Sequence, residues 1–150
     1  MRARVVPSGY LVGGGAVSEE KKEMNEMNEM QIQELLDKKR RRALIDELCP
    51  GSNGAEDFIA AVEWFEHGCA RLTLMRYLQN GFVLFITITR ETERLISGEM
   101  MITASYSVEV MEPHPSYATV QRDRRIRTWV DAEGVASEFA SLYGGWKRND

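Results

Sequence analysis

The sequence predicts an α+β protein: an antiparallel sheet of three to five strands, packed by helices and preceded by a long helix. Three observations predict it. Asn80-Gly81 separates two runs rich in β-formers, which is the strongest short-range signal for a hairpin. Residues 100–111 alternate apolar and polar side chains, as a half-buried strand does. Residues 24–48 consist largely of helix formers without Pro or Gly.

The composition is that of a globular domain and limits the classes of partner. The 150 residues are 43% hydrophobic and 28% charged, near the average for a chain that buries one core. The net charge of −4 argues against a protein that coats nucleic acid over its whole surface. No apolar run approaches the ~18 residues of a membrane span. Cys49 and Cys69 are too few for a disulfide framework, so we predict a cytoplasmic protein.

The first 23 residues differ from the rest of the chain. They include the glycine-rich stretch around Gly13, Gly14 and Gly15, which has little to pack and a high entropic cost of ordering. We predict a mobile tail over residues 1–23 and a single α+β domain over residues 24–150. An alternative is that translation begins at a later methionine such as Met24, in which case residues 1–23 are not native.

The long helix, residues 24–48, ends at Pro50-Gly51. Its apolar stripe is interrupted by charges, which favours a helix partly detached from the domain or packed against another chain. The interruption is a run of five basic residues that invites a nucleic-acid interpretation: Lys38, Lys39, Arg40, Arg41 and Arg42. Consecutive residues point around the helix, however, so the run is also explained as a solvated face with neighbouring acidic partners.

A second, shorter helix is predicted after Asn53. Asn53 and Glu56 have the spacing of a capping box. Phe58, Val62 and Phe65 then recur at helical spacing before Gly68. We therefore expect this helix to pack on the sheet.

The central hairpin is expected to turn through two residues, so that Tyr77 lies opposite Leu84. This register puts Met75, Tyr77, Leu84, Ile86 and Ile88 on the core face. The other face then has an apolar end and a Ser/Thr end, and its apolar end is our candidate docking surface for a protein partner: Leu74, Arg76, Leu78, Val83 and Phe85.

The C-terminal third carries the second candidate site. After a charged loop at residues 91–99, we predict a hairpin that turns around residues 122–124, and a last helix capped by Asp131. Arginine binds phosphate or carboxylate in a planar fork, so the hairpin is a candidate site for nucleic acid or an acidic partner: Arg122, Arg124, Arg125 and Arg127. Alternatively these charges protect an edge strand from aggregation.

No catalytic motif is recognisable. His67 and Cys69 are the only local pair of base and nucleophile, and both have ordinary structural explanations at a helix end and a strand start. The two cysteines and two histidines lack the spacing of a zinc site. We predict no enzyme activity, cofactor, metal or small-molecule substrate.

The leading functional hypothesis is a non-catalytic interaction protein: a regulator, adaptor or inhibitor that binds a protein partner or self-associates as a homodimer. The alternative is a nucleic-acid-binding regulator that uses the arginine-rich hairpin. A small enzyme or metal protein is the third class.

Overall fold

The structure is a computed structural model that describes residues 28–51 and 54–148. The chain divides into two compact units, Met1–Ala43 and Leu44–Asp150. The described elements, in order, are α1 (Glu29–Leu48), β1 (Ile59–Trp64), β2 (Ala70–Tyr77), β3 (Val83–Arg94), β4 (Met100–Met111), β5 (Thr119–Ile126) and α2 (Trp129–Leu142). The predicted α+β class is confirmed. The predicted tail, residues 1–23, lies outside the described residues.

Helix α1 begins with a capping box that the sequence analysis did not use. The Gln31 backbone N–H donates to Asn28 Oδ1 at 2.8 Å, and the Asn28 N–H donates to Gln31 Oε1 at 3.0 Å. This reciprocal pair satisfies two donors that a helix start leaves open. Most side chains of residues 28–43 are exposed. Leu44 and Leu48, by contrast, are buried in the core of the second unit.

The five strands form one antiparallel sheet in the order β1-β2-β3-β4-β5, which confirms the predicted meander. The first three connections share one design. Each is a three-residue loop that ends in a glycine with positive φ: Gly68 (80°), Gly81 (84°) and Gly98 (92°). In each, the residue before the loop donates its N–H to the carbonyl of the residue after it at 2.8 Å. Glycine adopts this left-handed conformation without steric cost.

The predicted register of the central hairpin is wrong by one residue. The Leu78 N–H bonds the Phe82 carbonyl, so the loop contains Gln79, Asn80 and Gly81 instead of Asn80-Gly81 alone. Tyr77 therefore pairs with Val83. Among the loop residues only Gly81 has positive φ, whereas a type I′ turn needs two such residues.

A shift of one residue changes which side chains share a face. The core side of β2 and β3 carries Leu72 and Leu74 laterally beside Ile88 and Ile86. All four are fully buried. Met75, which we predicted to be in the core, lies on the opposite face.

The predicted second helix is absent from the described residues. A short 3-10 turn at Gly54–Asp57 leads into the edge strand β1, and Asn53 lies outside the described residues. The segment also fits a strand, because Ala60 and Val62 point one way and Ile59, Ala61 and Glu63 the other. Pairing with β2 over six residues overrides the helical spacing.

Two other local predictions are wrong. The charged loop predicted at residues 91–99 is shorter, because β3 continues to Arg94. The predicted arginine hairpin is instead one strand, β5, which pairs with β4 across two register shifts. Each shift places an extra residue in β5, as a β-bulge does.

Helix α2 packs its apolar side on the core face of the sheet. Its first turn is capped by Thr128, whose hydroxyl accepts from the Asp131 N–H at 3.2 Å. Asp131, which we predicted as the cap, instead supplies a negative charge in the first turn, where the helix dipole favours one. As predicted, the helix ends before Gly144 and Gly145, both with positive φ.

Candidate interaction surface

The sheet has a second face, opposite the core, which we call the open face. In the described part of residues 44–148, no helix packs on it. Four rows of laterally paired residues cross it: Tyr77, Val83 and Met111; Ile59, Met75, Phe85, Glu109 and Arg122; Ala61, Thr73, Thr87 and Ser107; and Glu63, Arg71, Thr89 and Ser105. The first row is apolar, the third row carries mainly hydroxyl side chains, and the fourth row contains the charged residues Glu63 and Arg71.

The first two rows form an apolar end, which we define by Ile59, Met75, Tyr77, Phe85 and Met111. Ile59 is 61% exposed and Tyr77 is 45% exposed. The other three are half-buried. Contiguous exposed apolar side chains of this kind are typical of an interaction surface, whereas isolated ones are not.

The charges of the open face are largely paired. Arg71 Nη1 lies 3.3 Å from Glu63 Oε1, and Arg122 Nε donates to Glu109 Oε2 at 3.0 Å. Burial acts to raise the pKa of Glu109, but hydrogen bonds from Thr119 and Arg122 and the nearby positive charges outweigh it and lower the pKa. Glu109 is therefore ionised at neutral pH, and it neutralises Arg122.

The predicted docking residues do not share a surface. Leu74 and Leu78 are fully buried on the core side, and Val83 is 4% exposed on the open face. Phe85 is half-buried on the open face. Among the apolar residues of the predicted docking surface, only Phe85 therefore has a partly exposed side chain.

Arg76, the fifth predicted docking residue, is held by the C-terminal segment. Its guanidinium lies 4.3 Å from the ring centroid of Trp146 and 3.8 Å from Asp57 Oδ2. Trp146 also contacts Phe58 edge-on, at 5.6 Å between ring centroids. This stacked group covers the core-side end of β2, so Arg76 acts in packing.

The arginines of β5, together with Arg127 directly after it, divide into two groups. Arg122 is paired with Glu109, as described above. Arg124, Arg125 and Arg127 have exposed side chains, and none of them forms an ion pair with another described residue. This edge therefore presents three available cations, although the predicted hairpin arm does not form.

The basic run on α1 is exposed, as a solvated helix face would be. Lys38 through Arg42 cover five consecutive helical positions at about 100° each, so they surround the helix. Arg40 and Arg42 already take part in interactions. The run therefore does not form one flat basic patch.

The cysteines and histidines do not form a reactive pair in the described residues. Cys69 Sγ lies 3.8 Å from Thr92 Oγ1, and His67 is exposed beside Glu66. Burial, with the nearby charges of Glu133 and Asp46, raises the pKa of Cys49 to about 12. Within residues 28–51 and 54–148, no three His, Cys, Asp or Glu side chains group as a metal site requires.

We compared the chain with known proteins. No protein-family model matches the chain, and no similar chain was found among curated proteins or solved structures. No described helix is both long enough and apolar enough to span a membrane.

Four residues of the apolar end were not predicted from the sequence to lie on an interaction surface: Ile59, Met75, Tyr77 and Met111. The sequence nevertheless contains a pattern that indicates the correct hairpin register. His67-Gly68, Asn80-Gly81 and Ser97-Gly98 each precede a run of β-formers, and a three-residue loop with Gly in the left-handed position is a common hairpin alternative. Applying it to the central hairpin puts Met75 and Tyr77 on the open face.

Proposed function

We propose that this chain is a non-catalytic interaction protein that binds a protein partner through the apolar end of the open face. The observation that carries the proposal is the position of Ile59 and Tyr77, two exposed side chains beside Met75 and Phe85. An exposed aromatic side chain in an apolar patch is a typical binding hot spot. The regulator, adaptor and inhibitor roles all use such a surface.

The charge of the open face favours protein over nucleic acid. Arg71 and Arg122 are neutralised by Glu63 and Glu109. The strand positions beyond them add Glu91 and Glu93, which pair laterally with Thr103 and Met101. A nucleic-acid surface needs an excess of unpaired cations. The two free cysteines support a reducing compartment, and we propose that the protein acts in the cytoplasm.

The test is affinity purification of the tagged full-length chain, with nuclease treatment, followed by quantitative mass spectrometry. We expect Tyr77→Glu to reduce recovery of the partner by more than about tenfold, because an aromatic hot-spot residue contributes ~2 kcal/mol or more to binding. Thr103→Glu is the matched control: it adds the same charge to an exposed position at the polar end of the same face. Equal recovery with both variants would contradict the proposal.

A second candidate function is binding of nucleic acid along β5 and the residue after it, which the exposed Arg124, Arg125 and Arg127 support. We expect the double variant Arg124→Ala with Arg125→Ala to weaken binding to RNA or DNA at about 50 mM salt, and to reduce the slope of log K against log[salt] by ~1 to 2. Arg71→Ala with Arg94→Ala removes the same charge elsewhere and should have a smaller effect. Fluorescence anisotropy measures both. A wild-type chain that fails to bind either nucleic acid excludes this function.

A further inference from the structure

The two edges of the sheet are built differently. The β5 edge has two bulges and carries Arg122, Asp123, Arg124 and Arg125. Bulges and charge are the devices by which natural edge strands avoid pairing with other strands. The β1 edge lacks bulges and has a single charge. Its register with β2 is continuous over six residues, and Glu63 is its only charged residue.

Alternate residues of β1 direct their backbone N–H and C=O groups to opposite sides of the strand, so the residues that face outward can be identified. The Phe65 N–H donates to the Cys69 carbonyl, so residues 59, 61 and 63 also direct their backbone groups toward β2. Ala60 and Val62 therefore direct their N–H and C=O groups outward. Neither residue forms another hydrogen bond with a described residue. They constitute an unpaired strand edge.

We infer that β1 pairs antiparallel with β1 of a second copy of this chain, joining the two sheets into one. In the best register Ala61 faces Ala61 of the partner copy across a two-fold axis. Ala60 and Val62 of each copy then exchange backbone hydrogen bonds with Val62 and Ala60 of the other. Main-chain pairing of this kind is strand addition to an exposed edge, here in the isologous form typical of dimers.

The occupant is a second copy because β1 is complementary to itself. Non-hydrogen-bonded pairs bring Cα atoms to about 4.5 Å, and the pair on the axis consists of two alanines, which fit this spacing. Each Glu63 lies opposite an Ile59. The two Glu63 residues are four positions apart along the strand, about 14 Å, which exceeds the Debye length of about 8 Å at physiological salt. No like charges meet.

The β1 edge shares only Ile59 with the apolar end of the open face, so Tyr77→Glu, which tests partner binding there, leaves the edge unaltered. The inference is tested on the purified full-length chain by analytical ultracentrifugation at up to about 100 μM, where a micromolar Kd populates the dimer. We expect a dimer for wild type and for Tyr77→Glu. Ala60→Pro should be monomeric, because it removes an outward N–H that β2 does not use. A monomeric wild type overturns the inference.

Charge exchange at the axis tests the register. Ala61→Lys and Ala61→Glu should each weaken self-association, because like charges then face each other. An equimolar mixture should form a heterodimer about tenfold tighter than either homodimer, since opposite charges attract across the axis where like charges repel. Ser105→Lys, exposed on the same face but away from β1, should leave the dimer unchanged. A mixture without preference for the heterodimer contradicts this pairing.

Discussion

Leu74→Ala is expected to lower the free energy of unfolding by about 2–5 kcal/mol. Leu74 is fully buried, and it lies between Ala60 on β1 and Ile86 on β3 in the central row of the core face. Truncation removes apolar contacts and leaves a cavity among side chains fixed by three strands, which can collapse only partly. Urea unfolding monitored by tryptophan fluorescence measures the change.

Met75→Ala is the matched control, one residue away on the opposite face. Met75 is half-buried, so we expect a loss of about 1 kcal/mol, since full burial of such a side chain contributes ~1.5–3 kcal/mol. The order of the two effects discriminates between the two registers of the hairpin. If Met75→Ala proved the more damaging, the two-residue turn predicted from the sequence would be correct.

The register of a hairpin is harder to predict from sequence than the presence of its strands. The existence of the hairpin and of β4 followed from turn chemistry and period-2 alternation, both of which are local. The register depended on whether the loop contains two or three residues, which Gln79 does not reveal. Because both faces of β2 and β3 carry apolar residues near the turn, either register gives an acceptable pattern, and the alternation could not correct the error.

The misassigned β1 has a different cause. Phe58, Val62 and Phe65 suit a helix by spacing, and a six-residue strand offers few positions to contradict it. β1 becomes favourable only through pairing with β2, a tertiary effect that propensity does not contain. The predicted docking surface failed in turn, because its residues were chosen by a register that placed Leu74 and Leu78 on the wrong side.

The arginines near β5 were predicted as contact residues, but the ion pair between Arg122 and Glu109 was not predicted. The sequence identified Arg122 as a candidate contact residue, but the carboxylate that neutralises it belongs to β4. Glu109 is thirteen residues earlier in the chain and becomes its neighbour through the β4–β5 register. Pairing across strands is set by registers and bulges, so the available charges could not be counted from the sequence.

Cys49 should make the stability of the folded chain depend on alkaline pH. The thiol is buried, which raises its pKa from 9.0 to about 12. Between these values the unfolded chain releases the thiol proton while the folded chain retains it, so unfolding becomes more favourable as pH rises. The stabilising contribution is complete below pH 9 and is lost progressively above it, by about 1.4 kcal/mol per pH unit.

The measurement is urea unfolding of wild type and Cys49→Ala from pH 8 to about pH 10.5, below the folded pKa of the thiol. Other groups also titrate in this range, including Tyr106, whose pKa burial raises as well, so the informative quantity is the difference between the two proteins. We expect any advantage of wild type at pH 8 to diminish steadily above pH 9. A pH-independent difference between wild type and Cys49→Ala would show that the folded thiol ionises as readily as the unfolded one, and that the last turn of α1 does not exclude water from Cys49.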